Sequence, residues 1–381
     1  MNIFGYKLSK ERPEPIVEAI KMSQTVNDSI DTIKLSVLTD LPMIGYNRTE
    51  PWVNYGVDNL YPEFLKDLYN TSPTHNAIVK TKAQIVVGDG FKYDDTNYDE
   101  KDKVNILKVL NQIDRDIYEY SLDFQIYGAM ALELIWSLDF TKIVEINRID
   151  PSKLRSGKYE EGEVTEWYYK RDWSDRREEA VCIYPLDKGD KTNHRQLLYV
   201  GSQMVSNEYY YEPSYIGAID WITLESQCGV YYRGLIENGF SPTIVAKFYR
   251  KPGTQEERDA IMSGLKKNYT GVKGNKILGI FSDGKELAPD INPIEVSNMD
   301  KQFTVISDQI TQKIITGERA TPELCGIAIP GQLGNGDFDT KVKVFSKFVI
   351  RPDQRIFEKT VNQILMLNGY DIKWELNAFT I

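Results

Sequence analysis

The stretch "YIGAIDWITLESQCGVYYRGLIENGF", residues 215–240, decides the fold. It predicts one long helix that ends at Asn238-Gly239, and residues 217–239 would span about 35 Å at about 1.5 Å per residue. A second helix is predicted from about 300 to 316. Its apolar residues recur at helical spacing and form one face, while polar side chains occupy the rest of its surface. That apolar face consists of Phe303, Ile306, Ile310 and Ile314.

A small α/β unit, residues 241–298, lies between these two helices. "PTIVAKFYR" is apolar and β-branched and predicts a strand, as does "NKILGIFSDGKELAP". Between them, Thr254 followed three residues later by Glu257 is a capping-box signature for a helix. The two long helices must therefore run side by side in opposite directions, like a stalk that carries a knob. Such a pair cannot bury its apolar stripes alone, and identical copies in a ring would supply the missing neighbours.

The residues before the first long helix predict a mixed region. Residues 1–40 alternate weakly and indicate a partly extended arm. Pro62 suits a first helical turn, Ser72 and Thr74 are both plausible N-caps, and residues 104–127 carry Ile and Leu at helical spacing. Alternating segments such as "ALELIWSLDFTKIVEINRID" then predict short strands separated by turns. The chain is therefore expected to belong to the α+β class.

The last long helix is predicted from about 338 to 367. Pro352 inside it lacks a backbone donor and clashes with the carbonyl four residues earlier, so a kink is expected there. The chain ends on "YDIKWELNAF", which predicts an alternating strand. Before the last helix lies "PGQLGNGDFDT", residues 330–340, a soft loop whose only charges are Asp337 and Asp339. A core would favour a short apolar connection there, and a catalytic loop would need a nucleophile, a base or a metal ligand.

Composition narrows the function classes. A hydrophobic content of 41% with 12% aromatic residues indicates a folded protein. The net charge of −10 argues against a protein that grips nucleic acid over its whole surface, but not against one that lets DNA slide past. The 24 tyrosines suit partly wet surfaces and subunit contacts. Three scattered cysteines predict no disulfide framework and a reducing compartment, and the sequence predicts neither a signal peptide nor a membrane span.

Motifs that could carry chemistry are weak. "DDTNYDE", residues 94–100, resembles a calcium loop but has Glu where an EF-hand needs Gly, so a solvated turn is favoured over an ion site. "YTGVKGNK" lacks the phosphate-binding GxxxxGK pattern. His75 and His194 are the only histidines and neither has a partner motif. Cys325 fits a buried small hydrophobic residue better than a nucleophile. No cofactor, metal site or catalytic residue is predicted.

Five segments in order resemble the portal proteins of tailed bacteriophages, over most of the chain from about residue 52. The first two resemble the opening of the family's wing domain and the strand-turn before its β-rich part. The third and fourth resemble the two stem helices, and the fifth resembles the Pro-kinked helix across the wing. They are "VDNLYPEFLKDLYNTSPTHNAIVKTKAQIVVGDGF", "RIDPSKLR", "YIGAIDWITLESQCGVYYRGLIENGFSPTIVAKF", "VSNMDKQFTVISDQITQKIITGERATPELCGIA" and "KFVIRPDQRIFEKTVNQIL".

The resemblance implies a portal fold and a division of the chain. After the arm at 1–40 come the wing at 41–216, the first stem helix at 217–240, the clip at 241–298, the second stem helix at 299–319, a tunnel-loop region at 320–340, and the kinked wing helix with the C-terminal strand at 341–381. Many portals carry a further helical crown, and this sequence is expected to have little or none.

The resemblance also implies a function without enzymatic activity. Identical subunits, twelve in the virion, form a ring at one capsid vertex, and double-stranded DNA enters and leaves through the axial channel. The expected partners are the terminase, the major capsid protein and scaffold, and neck or adaptor proteins, with no membrane partner. A neck or baseplate adaptor ring is an alternative, as is a monomeric phage-encoded enzyme such as a nuclease.

Three sets of residues follow as candidates. The resemblance places the polar loop in the channel, where glycines give the backbone conformational freedom and acidic groups repel phosphates. For Lys341 and Lys343 three positions are open: near DNA, on a solvated helix face, or in ion pairs between subunits. The clip has a local charge of +2 and is the least acidic region of the chain. This difference in charge arises by chance or marks a docking surface. The channel loop comprises Pro330, Gly331, Gln332, Leu333, Gly334, Asn335, Gly336, Asp337 and Asp339, and the docking residues are Arg258, Lys266, Lys267 and Lys273. The stem stripe named above would pack between helices of the same and adjacent subunits.

Overall fold

The computed structural model describes residues 49–160, 163–204, 208–237, 244–248, 253–257, 259–261, 263, 277–281, 299–327 and 338–377. The expected arm at residues 1–40 lies outside the described residues. The described part is a mixed α+β structure, which agrees with the class expected from the sequence.

Four helices open the described chain: α1 (Tyr61–Thr71), α2 (Pro73–Val87), α3 (Glu100–Arg115) and α4 (Ile117–Tyr127). Pro62 lies in the first turn of α1, as predicted. Ser72 caps α2, because its side chain accepts a hydrogen bond from the backbone N–H of His75 at 3.2 Å. The helical region predicted over 104–127 is present, but it is interrupted. The backbone leaves the helical region at Asp116 (φ −115°, ψ 11°), and two helices result.

A six-stranded sheet follows in the order β3-β2-β9-β8-β7-β4. Its neighbouring strands are antiparallel except for β8 and β9, which are parallel. Short strands β5 and β6 form a separate hairpin pair. The strands are β2 (Ala129–Trp136), β3 (Ile143–Ile149), β4 (Leu154–Ser156), β5 (Tyr159–Glu160), β6 (Glu163–Val164), β7 (Trp167–Tyr169), β8 (Val181–Pro185) and β9 (Arg195–Gly201).

The two predicted stalk helices are α5 (Ile219–Glu237) and α6 (Met299–Gly317), and they pack on each other. Ile222 near the start of α5 and Ile314 near the end of α6 lie in one buried cluster. Residues 229–233 of α5 and most of residues 305–309 of α6, away from that cluster, are exposed. The two helices therefore run in opposite directions, as the sequence predicted.

Between the stalk helices, β10 (Ile244–Phe248) pairs with β11 (Ile277–Phe281) in parallel. Residues 255–257 and 259–261 are helical and lie between these strands in the chain. The capping signature is present at this helix: the backbone N–H of Glu257 donates to Thr254 Oγ1 at 3.2 Å. The carboxylate of Glu257 accepts from the N–H of Gly253 at 2.8 Å. The strand–helix–strand pattern is thus confirmed in the described residues.

The last helical region is continuous but not uniform. It consists of α7 (Phe338–Phe345), a π-helical segment (Ser346–Ile350) and α8 (Arg351–Leu367). In the π segment the N–H of Arg351 donates to the carbonyl of Ser346, five residues earlier. The irregularity expected at Pro352 thus takes the form of a π-helical stretch directly before it.

The chain end behaves as an alternating strand only in part. Tyr370, Ile372, Trp374 and Leu376 are buried, while the residues between them are more exposed. Only β12 (Glu375–Leu376) pairs with another strand in the described residues, β1 (Phe91–Lys92). The alternation is set by burial against α8 and the N-terminal helices rather than by a long sheet.

Two hydrophobic clusters form the core. The first joins α3, α4, β2 and β3 to α8 and the C-terminal residues. The second joins α1, α2 and residues from all six strands of the sheet to the start of α5 and the end of α6. The second cluster therefore anchors the stalk in the body of the protein.

Several tyrosines hold the second cluster together through their hydroxyl groups. Tyr210 donates to the carbonyl of Val53 and accepts from the N–H of Ser156, and Tyr55 donates to the carbonyl of Tyr211 at 2.8 Å. The rings of Tyr55 and Tyr210 stack with centroids 4.0 Å apart. The sequence predicted that tyrosine serves wet surfaces, whereas these side chains are buried and bind distant stretches of backbone.

Candidate functional site

Helix α2 receives a carboxylate from the first stalk helix at its N-terminus. Ser72 Oγ donates to Glu225 of α5, and the backbone N–H of Thr74 donates to the same carboxylate at 3.2 Å. Thr74 Oγ1 donates to its other oxygen at 2.5 Å. A carboxylate is favourable there because the first turn of a helix presents unpaired N–H groups and a partial positive charge. Ser72 and Thr74 both take part, as cap and as second donor.

The same helix binds the second stalk helix through buried charges, which we call the junction cluster: His75, Lys82 and Glu318. Glu318 directly follows α6, its Oε1 lies 2.5 Å from His75 Nδ1, and its Oε2 accepts from Lys82 Nζ at 2.8 Å. All three side chains are buried. Burial alone would raise the pKa of Glu318, but Lys82 and His75 outweigh it and hold that pKa at about 2.

Tyr215 extends the junction cluster towards α4. Its ring meets that of His75 edge-on with centroids 4.3 Å apart, and its hydroxyl donates to the carbonyl of Ile126 at 2.6 Å. Glu225 and Glu318 thus fasten both stalk helices to α2, and Tyr215 fastens the approach to α5 to the end of α4. The stalk is joined to the body by specific polar contacts as well as by apolar packing.

A cleft of about 630 Å³ separates the end of α6 and the turn after it from α7 and the π segment. Lys341 Nζ lies 2.5 Å from Glu323 Oε1 across it, and the guanidinium of Arg319 donates to the carbonyl of Phe348 at 3.1 Å. Val344 and Phe348 line the cleft and are more than half exposed. The residues that line the cleft come before and after residues 328–337 in the sequence.

Most of the predicted channel loop, Pro330 to Asp337, lies outside the described residues. Asp339, predicted as part of the loop, lies in the first turn of α7, where its negative charge suits the helix N-terminus. Lys341, one of the two candidates for proximity to DNA, forms the ion pair with Glu323 of its own chain. Lys343, the other, is exposed. The docking residues Arg258, Lys266, Lys267 and Lys273 lie outside the described residues.

The predicted stem stripe is wrong in part. Ile310 and Ile314 are 1% and 0% exposed within a single chain, because they lie in the second core cluster. They have no surface left for an adjacent subunit. Ile306 is 42% exposed and can meet one. The side chain of Phe303 lies outside the described residues.

Sequence reasoning missed the exposed apolar residues further along the stalk. Residues 229–233 of α5 form more than one full turn in which every residue is exposed. Residues 305–309 of α6 are exposed except for one half-buried position. The sequence of α5 contained a signal for this surface. A helix that is solvated on one side has a continuous polar face, and α5 lacks one. The exposed apolar side chains are Leu224, Val230, Tyr231 and Tyr232 on α5 and Val305 and Ile306 on α6.

The acidic residues of the candidate ion loop bind groups within their own turn, and Cys325 packs against the core. Asp94 accepts hydrogen bonds from Thr96, and Asp99 caps α3 by accepting from the N–H of Asp102 at 2.8 Å. Among the described residues, no group of His, Cys, Asp and Glu is arranged to hold a metal ion. Cys325 is partly buried against the second core cluster, and burial raises the pKa of its thiol. No helix in the described ranges is long and apolar enough to cross a membrane.

Comparison with known proteins supports the fold through structure alone. No family model matches the sequence, and no curated protein does. The fold is similar to a chain in the neck of a native GTA particle computed with C12 symmetry, with a TM-score of 0.55 and 14% identity over 84% of this chain and 85% of that one. A chain in the virion of a native gene transfer agent particle matches with a TM-score of 0.51 and 12% identity over 82% and 83%.

An HK97-family phage portal protein from Corynebacterium diphtheriae matches with a TM-score of 0.48 and 8% identity, over 82% of this chain and 94% of that one. At the level of the fold, this chain is therefore similar to chains in the neck and the virion of gene transfer agent particles.

Proposed function

We propose that the chain is a phage portal protein. Twelve copies form a ring at one capsid vertex, and double-stranded DNA is packaged and ejected through the axial channel. The observation that carries the proposal is the stalk: residues 229–233 and 305–309 are exposed on a single chain although they include large apolar side chains. The similarity in fold to a neck chain with C12 symmetry supports the proposed ring.

The exposed stalk residues need a partner that presents a matching surface. Large apolar side chains exposed at neighbouring positions of a helix indicate an interface rather than a solvated face. A closed ring needs two different surfaces on each subunit, one for each neighbour. Helix α5 offers Val230, and α6 offers Val305 and Ile306. We assign these two helices to the contact between adjacent subunits, with α5 of one against α6 of the next.

The wing, stem and clip follow from the same proposal. The body formed by α1–α4, the six-stranded sheet and α8 is the wing, α5 and α6 are the stem, and the β10–β11 unit is the clip. The clip would receive the terminase and then neck or tail proteins, and the wing would meet the capsid protein and scaffold. The loop between α6 and α7 would line the channel, where acidic groups repel passing phosphates.

The proposed role requires no catalysis by this chain. The polar clusters described above tie helices together: Glu225 and Glu318 both bind donors on α2. The motor that moves DNA would be the docked terminase. A phage-encoded nuclease, the alternative of another class, would need carboxylates or histidines converging on an open site.

Native mass spectrometry with negative-stain electron microscopy tests the ring. We expect assemblies of about a dozen subunits, and a stable monomer at high concentration would overturn the proposal. The variant Val305→Glu with Ile306→Glu should fall to monomers with an unchanged melting temperature of the single chain. Leu138→Glu is the matched control, because Leu138 is 93% exposed at the β2–β3 turn and should not affect the ring. If the double variant forms rings in full yield, Val305 and Ile306 do not lie in the contact between subunits.

A neck adaptor is the second candidate, because the similar GTA chains come from structures described as a particle neck. It would form rings as well, so mass spectrometry cannot separate the two. Cryo-electron microscopy of virions does so by position. Density for this chain within the capsid vertex supports the portal, and density below the vertex supports the adaptor.

A further inference from the structure

The two halves of the last helical region are held differently. Helix α8 is fixed in the body: Gln354 Nε2 donates to the carbonyl of Val86 at 3.0 Å, and Phe357 and Ile364 are buried. Helix α7 is mostly exposed, with Val342 and Phe345 as its buried side chains. The π segment lies between the two. Because π-helical stretches and prolines interrupt the regular hydrogen bonding of a helix, this is where α7 can change direction relative to α8.

Arg319 acts at this interruption. Pro352 has no N–H with which to bond the carbonyl of Phe348 four residues earlier. The guanidinium of Arg319 donates to that same carbonyl at 3.1 Å, although Arg319 belongs to the turn after α6. A hydrogen bond from a charged donor is stronger than one between neutral groups. One side chain from the end of the stem therefore donates to a backbone carbonyl in the interrupted helix.

The backbone of Arg319 is itself constrained. Its φ is +54°, in the left-handed region that residues other than glycine rarely adopt. The neighbouring Glu318 is fixed in the junction cluster by Lys82 and His75. Consecutive residues thus bind in two directions: Glu318 binds α2, and Arg319 reaches across the cleft to the π segment. Such a conformation persists where the surroundings over-determine it.

We infer that Arg319 is a positioning residue: its guanidinium replaces the backbone hydrogen bond that Pro352 cannot make, and so fixes α7 relative to α6. In the sequence, residues 328–337 follow the turn that contains Arg319 and precede α7. Its consequence for a channel loop rests on the proposed function. The positioning itself does not, because it acts within one chain.

The second contact across the cleft provides a matched control. Lys341 and Glu323 pair at 2.5 Å, but both side chains are substantially exposed, at 43% and 32%. Exposed ion pairs of this kind contribute little. Lys341→Met should therefore leave the mobility of α7 almost unchanged. The Arg319 contact is exposed as well, but its acceptor is a backbone carbonyl at the interruption before Pro352, so its loss should loosen α7.

Hydrogen–deuterium exchange of the full-length chain tests the inference. Arg319→Asn suits the test because Asn tolerates the left-handed backbone but cannot reach Phe348. We expect exchange of peptides covering residues 338–351 to accelerate about tenfold, while peptides from α3 and α4 keep their protection. Arg319→Lys, which retains a charged donor, should restore most of the protection. Lys341→Met should change exchange less than twofold.

Unchanged exchange of residues 338–351 in Arg319→Asn would overturn the inference. So would an equal acceleration over the whole chain, because Arg319 would then support global stability rather than the position of α7. Failure of Arg319→Lys to restore protection would show that the donor is not the cause. None of these readings depends on ring formation, so absence of rings would count against the proposed function and leave this inference standing.

Discussion

The two halves of α6 carry similar side chains in opposite surroundings. Ile310 and Ile314 are fully buried in the second core cluster of their own chain. One turn earlier, Val305 and Ile306 are 55% and 42% exposed. The sequence pattern predicts one continuous apolar face along the helix. In the structure that face is buried within the body and exposed where the stalk leaves the body. The half inside the body serves folding, and the half outside has surface available for assembly.

The largest expected effect comes from breaking the buried half. Ile310→Asp would place a charge without a partner in the core, at a cost of several kcal/mol. We therefore expect the single chain to unfold or to lose most of its cooperative thermal transition, measured by calorimetry and near-ultraviolet circular dichroism. Ile306→Asp makes the same change one turn earlier and should leave the transition of the single chain in place. Equal stability of the two variants would show that the two halves of α6 do not differ in their contribution to folding.

An acid titration sharpens the comparison through the junction cluster. Glu318 has its folded pKa lowered to about 2, against about 4.3 for Glu in an unfolded chain. Its contribution is therefore complete above pH of about 4.3 and is lost as the pH falls towards about 2, on the order of 3 kcal/mol. Urea midpoints measured from pH 5 to pH 3 should fall accordingly.

The charge-free variant for this titration is Lys82→Met with Glu318→Gln, which removes the pair without leaving either charge buried alone. Its stability should decline less between pH 5 and pH 3 than that of the wild type. Glu323→Gln is the control, because Glu323 forms an exposed pair whose loss contributes little. If the double variant and the wild type show the same acid dependence, Glu318 does not hold the stalk to the body through its charge.

A smaller effect is expected from the tyrosines of the body. Tyr210→Phe removes a buried hydroxyl that donates to Val53 and accepts from Ser156. We expect a loss of about 1–2 kcal/mol in the free energy of unfolding, because both backbone partners would lose a hydrogen bond. Tyr159→Phe changes a more exposed ring and should stay within about 0.5 kcal/mol in chemical denaturation. If Tyr210→Phe lowers the free energy of unfolding by less than about 0.5 kcal/mol, water replaces the lost hydroxyl group.

The sequence predicted elements better than contacts. Local signals such as Pro62, the Ser72 cap and the Thr254 capping signature were sufficient to place helix starts, because each acts within one turn. The junction cluster could not be found that way. His75 and Glu318 are 243 positions apart, and nothing near either residue indicates a partner. The burial of Ile310 was missed for the same reason, since periodicity shows which face is apolar but not what covers it.

The smallest effect on stability, and the largest on the proposed function, is expected from charge at the loop. B-DNA carries about one negative charge per 1.7 Å of axis, so a few added lysines per subunit would multiply around a ring into a strong, salt-dependent attraction. Changing Asp337 and Asp339 to Lys alters local charge by about +4 per subunit and about +48 in a twelve-fold ring. Asp339 lies in the first turn of α7, so its replacement should cost that helix up to about 1 kcal/mol.

Rings of the loop variant should still form, because exposed polar groups contribute little to folding. They should retain duplex DNA at low salt and release it at high salt, and packaging or ejection should slow. The matched control, Asp94→Lys with Asp95→Lys, makes the same charge change at the turn before α3. If both variants package full-length DNA normally, the loop does not line the channel. If both retain DNA equally, net charge rather than position explains the binding. Retention by the loop variant alone is the outcome that places residues 330–340 beside moving DNA.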